Sequence, residues 1–467
     1  MTTSNQTYTL VMDIGKTHVK VHVLDTGYNS IFSKHMSNTV LNKPPYPCAD
    51  VDGIWQFFQI AIKEAAAKYA ISGISITTHG ATAALIDRAE TNGNGLVLPV
   101  LDYEYTEINV LDASYSSVRP DFASTYSPSL PAGLNLGRQL HWLSQSFNHE
   151  FTQATDILMY PQYWVWRLTG YLASEITSLG CHTDLWDLNE NGLSSLVDHL
   201  ACRDKFPALK PAWQCCGAIK PELSQALGLS PDCQVYSGLH DSNASFLRYR
   251  LTQGDKPFTV ISSGTWTILM ASQVSVKNLE PTKDMLANID ALGTPIACAR
   301  FMGGREFAAI CDLTGAKVDD AFTEADLQTL IDSNVFALPD FSGGSGPFSQ
   351  SQGQVVGELT TITGAALATL YCAYMVDYQL SLLEAKGDIY IEGAFLKNPL
   401  LCGLIKQLRN GQAVHLSRDD TGTVAGTACL TQWGANALNV ESSSANETRL
   451  QGLDQYKATW LALIADA

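Results

Sequence analysis

Two glycine turns and one carboxylate at the head of a helix are the stretches of this chain best equipped for chemistry. In Leu10-Val11-Met12-Asp13-Ile14-Gly15-Lys16-Thr17-His18-Val19-Lys20-Val21-His22-Val23-Leu24, two β-branched runs of period-two alternation flank a short turn. Gly15 offers the backbone freedom of a sharp bend. Lys16, Thr17 and Lys20 bring cations and a hydroxyl to it, and Asp13 sets a carboxylate just before it. Backbone N–H groups in such a turn form an anion-binding concavity, and an adjacent carboxylate can hold a hydrated Mg²⁺. A surface hairpin is the plainer reading. The stretch Phe258–Met270 repeats the pattern, with the hydroxyl-rich turn Ser262-Ser263-Gly264-Thr265 between two strands. It opens the second half of the chain as the first hairpin opens the first half, which points to an internal duplication closing on one phosphate chain.

Asp241 lies between the strand Gln234–Gly238 and the start of a helix, where a side chain projects into a cleft rather than a core. A carboxylate so placed can accept the proton of an alcohol during phosphoryl transfer. It can equally cap the helix, a role that stabilises by about 1 kcal/mol. His240 beside it reads as structural or substrate-facing. His79, Asp102, Tyr103 and Glu104 fall at strand ends in the first half, and as a set they would make a polyol pocket. His182-Thr183-Asp184 has only Cys181 close by and no zinc spacing follows.

The elements that position these residues read as strand–helix–strand units. Asp52 is expected to cap a helix through Ile54, Trp55, Phe58, Ile62, Ala65, Ala66 and Tyr69, one apolar stripe that Gly73 ends. Ile74–Thr78 is then a strand delivering His79 and Gly80. Helices are expected over Leu136–Phe147 and Pro161–Leu168, and loop with a short strand over Ser174–Asp187. In the second half, Gly364–Lys386 reads as a long buried helix, Ile389–Gly393 as a strand, Asn398–Arg409 as a helix and Ala413–Leu416 as a strand. A small-residue helix follows from Val424. The polar stretch Arg250–Pro257 is the expected domain junction.

At 467 residues, two domains are expected. A content of 46% hydrophobic and 16% charged residues belongs to a globular chain rather than a disordered one. The net charge of −17 argues against nucleic acid or an anionic membrane as main partner. Eleven scattered cysteines without a CxxC pair read as reduced, mostly buried thiols of a cytoplasmic protein. The first residues, Met1–Gln6, carry neither a basic nor an apolar run, so no signal peptide is expected, and no apolar segment is long enough for a bilayer.

Taken in order, these motifs resemble the FGGY carbohydrate kinases, of the superfamily that also holds hexokinases, actin and the heat-shock chaperone ATPases. Asp13–Lys20 resembles the first phosphate motif, Ser262–Thr267 the second, and Gly238-Leu239-His240-Asp241 the segment bearing the catalytic aspartate. Thr183-Asp184-Leu185-Trp186-Asp187 is similar to a stretch of the family's first domain, and Glu392-Gly393-Ala394 with Asn398 and Gln407 to its adenosine motif. The resemblance implies an α/β fold of two actin-like (ribonuclease H-like) domains with an interdomain active-site cleft. Residues 1–250 would be the N-terminal, sugar-binding domain and 251–467 the C-terminal, ATP-binding domain. It implies ATP-dependent phosphorylation of a ketose or deoxyketose, with Asp241 as general base and Asp13 and Asp241 holding Mg²⁺. His79, Asp102, Tyr103, Glu104 and His240 would meet the sugar. Gly15, Lys16, Thr17, Lys20, Ser263, Gly264, Thr265, Gly393 and Asn398 would meet ATP. Two departures stand out: Gly393 lacks the usual neighbouring glycines, and Lys16 replaces a small or hydroxyl residue. The second, with the Ser-Ser-Gly-Thr-Trp form, lies nearer the rhamnulose and fuculose kinases than the glycerol kinases. The alternatives are a kinase of a polyol or glycerol, and a nucleotide-gated chaperone or scaffold of the same superfamily. A small sugar is the expected partner, and a homodimer is among the assemblies this reading allows.

Overall fold

Tyr8–Ile14 (β1) and His18–Leu24 (β2) form the expected hairpin, in register from Thr9 opposite Leu24 to Ile14 opposite Val19, and Ser30–Ser37 (β3) continues it antiparallel to β2. The structure is a computed structural model that describes residues 7–90, 93–358, 364–417, 422–434 and 440–465. Leu10, Met12 and Ile14 share one face with Val19, Val21 and Val23, and all six are fully buried, as period-two alternation over a core requires. The helix Val51–Ala66 (α1) covers that face through Ile54, Phe58, Ala61, Ile62 and Ala65. Its cap is Asp50, which accepts a hydrogen bond from Gly53 N at 3.0 Å, and not Asp52. Gly73, expected to end the helix, instead lies inside the next strand, Ile71–Thr78 (β4), which runs parallel to β1.

The sheet is completed by Cys215–Ala218 (β5), Gln234–Tyr236 (β6) and Leu239–His240 (β7), in the order β5-β6-β4-β1-β2-β3 with β7 also on β4. Trp164, on the helix Tyr160–Thr169 that sequence places at Pro161–Leu168, is fully buried under it. Its ring lies 6.4 Å from that of Trp55 and 5.4 Å from that of Phe58. The stretch Ser174–Asp187, expected as loop and short strand, contains a turn of helix at Ile176–Leu179 before the strand Trp186–Asp187.

The other face of β1 and β2 is covered by a segment from the far end of the chain. Val424 and Ala428 of the helix Gly422–Ala428 pack on Val11 and Leu24. Gly426 lies so close to Ala244 O that a Cβ there would fall 1.8 Å from it. Thr431 and Thr9 share a hydroxyl contact of 2.7 Å, and Trp433 stacks on Trp213 with ring centroids 3.8 Å apart. The chain accordingly divides into two compact units, one of Met1–Thr252, Ala287–Pro295 and Thr421–Asn439, the other of Gln253–Leu286, Ile296–Asp420 and Val440–Ala467. The helix Asp241–Gln253 (α2) closes the first long stretch of the first unit.

The second unit repeats the topology of the first. Phe258–Ser263 (β8) and Thr267–Ala271 (β9) form an antiparallel hairpin that Pro295–Phe301 extends. The helix Gly303–Leu313 (α3) follows directly. Gly364–Leu382 (α4) is buried on nearly every side, as its largely apolar pattern demands. Asp388–Gly393 (β10) then pairs parallel to β8, Val414–Ser417 (β11) parallel to β10, and Ser442–Ser444 antiparallel at the edge. Three antiparallel strands, two parallel ones and an antiparallel edge are common to the two seven-stranded sheets, so the duplication expected from the two hairpins extends to whole αβ halves. Trp164→Ala, which empties the aromatic centre of the first unit, is expected to cost about 3–5 kcal/mol, read as a fall in the urea midpoint.

Candidate active site

Three parallel strands of the first unit end level with one another. Thr77 of β4 pairs with Asp13 on one side and Leu239 on the other, and Thr78 with Ile14 and His240. Asp13, His79 and Asp241 therefore emerge at one edge, the carboxyl ends of the strands where open α/β sheets bind ligands. Between β6 and β7 the chain carries one residue more than β4: Val235 is opposite Ile74, but Leu239, not Gly238, is opposite Thr77. Gly238 takes up the extra residue with φ +75°, and a Cβ there would lie 2.4 Å from Ile76 O. Buried Gln162 donates to Ser237 O at 2.8 Å and so satisfies a carbonyl the bulge frees from the ladder.

Asp241 is the first residue of α2 and keeps 30% of its side chain exposed. Its Oδ1 accepts from Ser242 N at 2.6 Å and lies 3.2 Å from His240 Nε2. The His240 contact is not an ion pair, because burial brings that imidazole down to about 4. Asn243 Nδ2 donates to His240 Nδ1 at 3.2 Å, which leaves the ring proton on Nε2 facing Asp241. Burial raises the Asp241 carboxyl, and the nearby His79 opposes part of that rise. His79, itself held below its ordinary value by burial, donates from Nδ1 to Gly80 O at 3.0 Å. Asp13 is pushed up to about 6, by burial first and by the charge of Asp241, with Lys20 opposing from 3.8 Å. Two carboxylates near each other in low dielectric each resist ionising, so this edge has room for positive charge.

The first glycine turn is pinned from both sides. Gly15 N donates to His18 O at 2.9 Å, and Asn38 donates from its amide to Gly15 O and from its backbone N to Thr17 O. Gly15 does not use left-handed backbone, and a Cβ there would make a tight contact of 3.2 Å with His18 O. Thr17 is exposed and Lys20 leans on Asp13. Lys16 turns the other way. Its ammonium contacts Asp102, lies 3.3 Å from Glu104 and sits 4.4 Å over the Tyr103 ring. The Tyr103 ring in turn meets His79 at 5.5 Å. Lys16, Asn38, His79, Thr82, Asp102 and Tyr103 line one cavity of about 20 Å³, room for a single water.

In the second unit, the Ser263 hydroxyl accepts from Phe395 N at 2.9 Å and donates to Glu392 O, so it ties the end of β8 to the end of β10. Gly393, at φ +81°, is the residue that permits this approach, since a Cβ would fall 2.0 Å from Ser263 O. Gly264 N closes the turn on Trp266 O at 2.8 Å, and Thr265 is exposed. Asn398 caps the helix Pro399–Leu408, accepting from Leu401 N at 3.0 Å, and donates to Thr369 at 2.8 Å. Both ends of its amide are thus engaged within the protein, as are both ends of Gln407, through Leu450 and Thr448.

Five supporting residues have no place in the sequence reading above. Asn38 and Gln162 hold backbone from distant elements and leave no local signal. Asn243 is two residues beyond Asp241 on the helix, a spacing that could have marked it. The doublet Gly303-Gly304, between a strand and a helix, is legible: it brings the start of α3 against the second turn, where a Cβ on Gly304 would lie 2.3 Å from Gly264 O. Asp184 is used inside the core, paired with Arg119 at 2.8 Å. Among the described residues, no three His, Cys, Asp or Glu side chains gather as a metal site.

The raised Asp13 carboxyl has a consequence for stability. From its ordinary value of 3.8 up to about 6 the folded chain holds a proton that the unfolded chain releases. Stability therefore falls as pH rises through that window and stays reduced above it. Asp13→Asn is expected to stabilise the protein by about 2–3 kcal/mol at pH 7, with the gain vanishing near pH 4, as measured by urea midpoints at the two pH values.

Known proteins bear on this site. The N-terminal domain of the FGGY family of carbohydrate kinases matches residues 8–247, and the FGGY C-terminal domain matches residues 255–439. Among curated relatives, an L-fuculokinase of Salmonella typhi is 25% identical over 270 residues, 56% of either chain. A probable L-xylulose kinase of Pasteurella multocida is 24% identical over 278 residues, covering 56% of this chain and 55% of its own. The chain spans about half the length of the curated relatives it matches. Among solved structures, a carbohydrate kinase from Novosphingobium aromaticivorans is 30% identical over 99% of both chains with a TM-score of 0.89. A xylulose kinase from Lactobacillus acidophilus, 16% identical over 98% of this chain and 96% of its own, shares the fold with a TM-score of 0.77. No helix among the described residues is long and apolar enough to cross a membrane. With two αβ halves of one topology, a carboxylate at the head of α2 and both domain matches in sequence, this chain belongs to the FGGY family of carbohydrate kinases.

Proposed function

We propose that this protein transfers the terminal phosphoryl group of ATP to a hydroxyl of a ketose or deoxyketose of the rhamnulose, fuculose or xylulose kind. The observation that carries the reading is the level ending of β1, β4 and β7, which gathers Asp13, His79 and Asp241 at one edge. Asp241 is the general base. Ser242 N and His240 both engage its Oδ1, which leaves Oδ2 for the sugar hydroxyl. Oδ2 takes the proton as the sugar oxygen bonds to the terminal phosphorus and the bridging P–O bond breaks. A carboxyl raised by burial is a stronger base than one in water, which suits this task.

His79 is placed to orient the sugar: with its Nδ1 proton committed to Gly80, Nε2 is an acceptor for a hydroxyl. Asp102 and Tyr103 line the same cavity, with Glu104 beside Lys16 at its edge. The two glycine turns are read as phosphate-binding turns, the first through Gly15, Thr17 and Lys20, the second through Gly264 and Thr265. Ser263, Gly393 and Asn398 serve that second site by shaping its backbone, since their own groups are taken up by Glu392, Phe395, Leu401 and Thr369. A Mg²⁺ fits the donor set at Asp13 and Asp241, two raised carboxyls that would hold it through its waters. When bound, it would neutralise charge on the phosphate oxygens.

The test is ADP release over a panel of ketoses, aldoses, polyols and glycerol, in the wild type and in Asp241→Asn. The expected result is turnover of a ketose with a 10²–10⁴-fold lower kcat in the variant, and unchanged binding of a non-hydrolysable ATP analogue (the range is about that of general-base catalysis). Undiminished turnover in Asp241→Asn removes the base, and activity on glycerol alone overturns the ketose reading.

A further inference from the structure

Lys16 belongs by position to a phosphate-binding turn, yet its ammonium is spent on the loop that follows Leu101. It touches Asp102, lies 3.3 Å from Glu104 and rests 4.4 Å over the Tyr103 ring. With 24% of its side chain exposed, it is less open than Lys20, at 43%, whose partner is Asp13. The two cations of the hairpin are thus divided between two acidic sets, Lys20 with Asp13 and Lys16 with Asp102 and Glu104. Lys16 is also the one cationic side chain among the residues lining the His79 cavity. Burial disfavours a charge on His79 beside it.

The sign of the local charge decides which ligand Lys16 serves. One ammonium facing two carboxylates leaves that cluster at −1, which repels a polyphosphate and does not penalise a neutral polyol. The ammonium has three donors, of which one bonds Asp102, with Glu104 3.3 Å away as an ion pair. It can therefore also donate to an oxygen that can only accept, which neither carboxylate can serve. The volume of about 20 Å³ beside it is that of a single water, which a sugar oxygen can replace.

We propose that Lys16 is a specificity-determining residue for the sugar rather than a ligand of the nucleotide, donating to an acceptor oxygen of a neutral sugar while Asp102 and Glu104 hold its charge. The proposal rests on the kinase reading above for its substrate. It assigns the turn a double role: the backbone faces phosphate, and the side chain of its central residue faces the acceptor. A sugar acid, whose carboxylate would meet the cluster at −1, is expected to be a poor substrate.

The experiment compares wild type, Lys16→Met and Lys16→Arg. KM for the best ketose of the panel and KM for ATP are measured by ADP release, with D-gluconate as the acidic probe, and a non-hydrolysable ATP analogue is titrated by calorimetry. The expected result for Lys16→Met is a sugar KM raised at least 10-fold with ATP KM and analogue affinity within 2-fold of wild type. Lys16→Arg should recover part of the sugar KM, which a purely structural lysine would not require. A loss of nucleotide affinity of 10-fold or more, equal rises in both KM values, unchanged values, or gluconate turned over as well as the ketose would each overturn the proposal. If the wild type binds the analogue but phosphorylates no sugar, the kinase reading fails on its own. The titration of Lys16→Met then still decides whether Lys16 holds the nucleotide.

Discussion

Negative charge kept out of water at the end of a parallel sheet is the constraint on which the rest of this structure depends. Asp13 and Asp241 stand where β1 and the strand leading into α2 stop, each raised by burial, with Lys20 and a neutral His240 as incomplete compensation. Such an arrangement works against folding, and the surrounding residues limit the damage without cancelling it. Asn243 bonds one ring nitrogen of His240, the other ring nitrogen lies 3.2 Å from Asp241, and Ser242 N donates to the same oxygen. The core beneath, from Leu10 to Trp164, supplies the stability that lets these carboxyls remain under-compensated.

The duplication gives two sheets of one topology with opposite strand-end chemistry. In the first unit the ends present carboxylates and imidazoles. In the second, the corresponding ends present Ser263 and Gly393, backbone against backbone, with no acid on the turn itself. On the proposed function, one half accepts protons and holds cations, and the other brings peptide N–H groups and a helix start close to a ligand. The glycines Gly393 and Gly304 are the means, since a side chain at either would collide with Ser263 O or Gly264 O. Shared ancestry of topology and divergence of strand-end residues are thus separable in the same chain.

Sequence alone makes the hairpins, their duplication and the position of Asp241 legible, because alternation and a strand-to-helix junction are local patterns. What it leaves hidden is long-range. Asp50 and Asp52 are both plausible caps by type, and only the path of the chain puts Asp50 in reach of Gly53 N. Gly73 resembles a helix stop but serves in a strand, where Thr431 and Tyr236 pack against it. Polar residues such as Ser263 and Asn398 carry the look of ligand contacts, yet their hydrogen bonds are completed by Phe395 N and Leu401 N. A turn has no periodicity to orient its side chains, so nothing in Gly15-Lys16-Thr17 foretells that Lys16 meets Asp102.

The segment Gly422–Gly434 has an implication for how the molecule is made. It lays Val424 and Ala428 over Val11 and Leu24, seats Gly426 on Ala244 and stacks Trp433 on Trp213. During synthesis the nascent amino-terminal half therefore lacks this cover on one side of its sheet until Gly422–Gly434 has been made. The half that is translated first is thus sealed only after much of the other has been made.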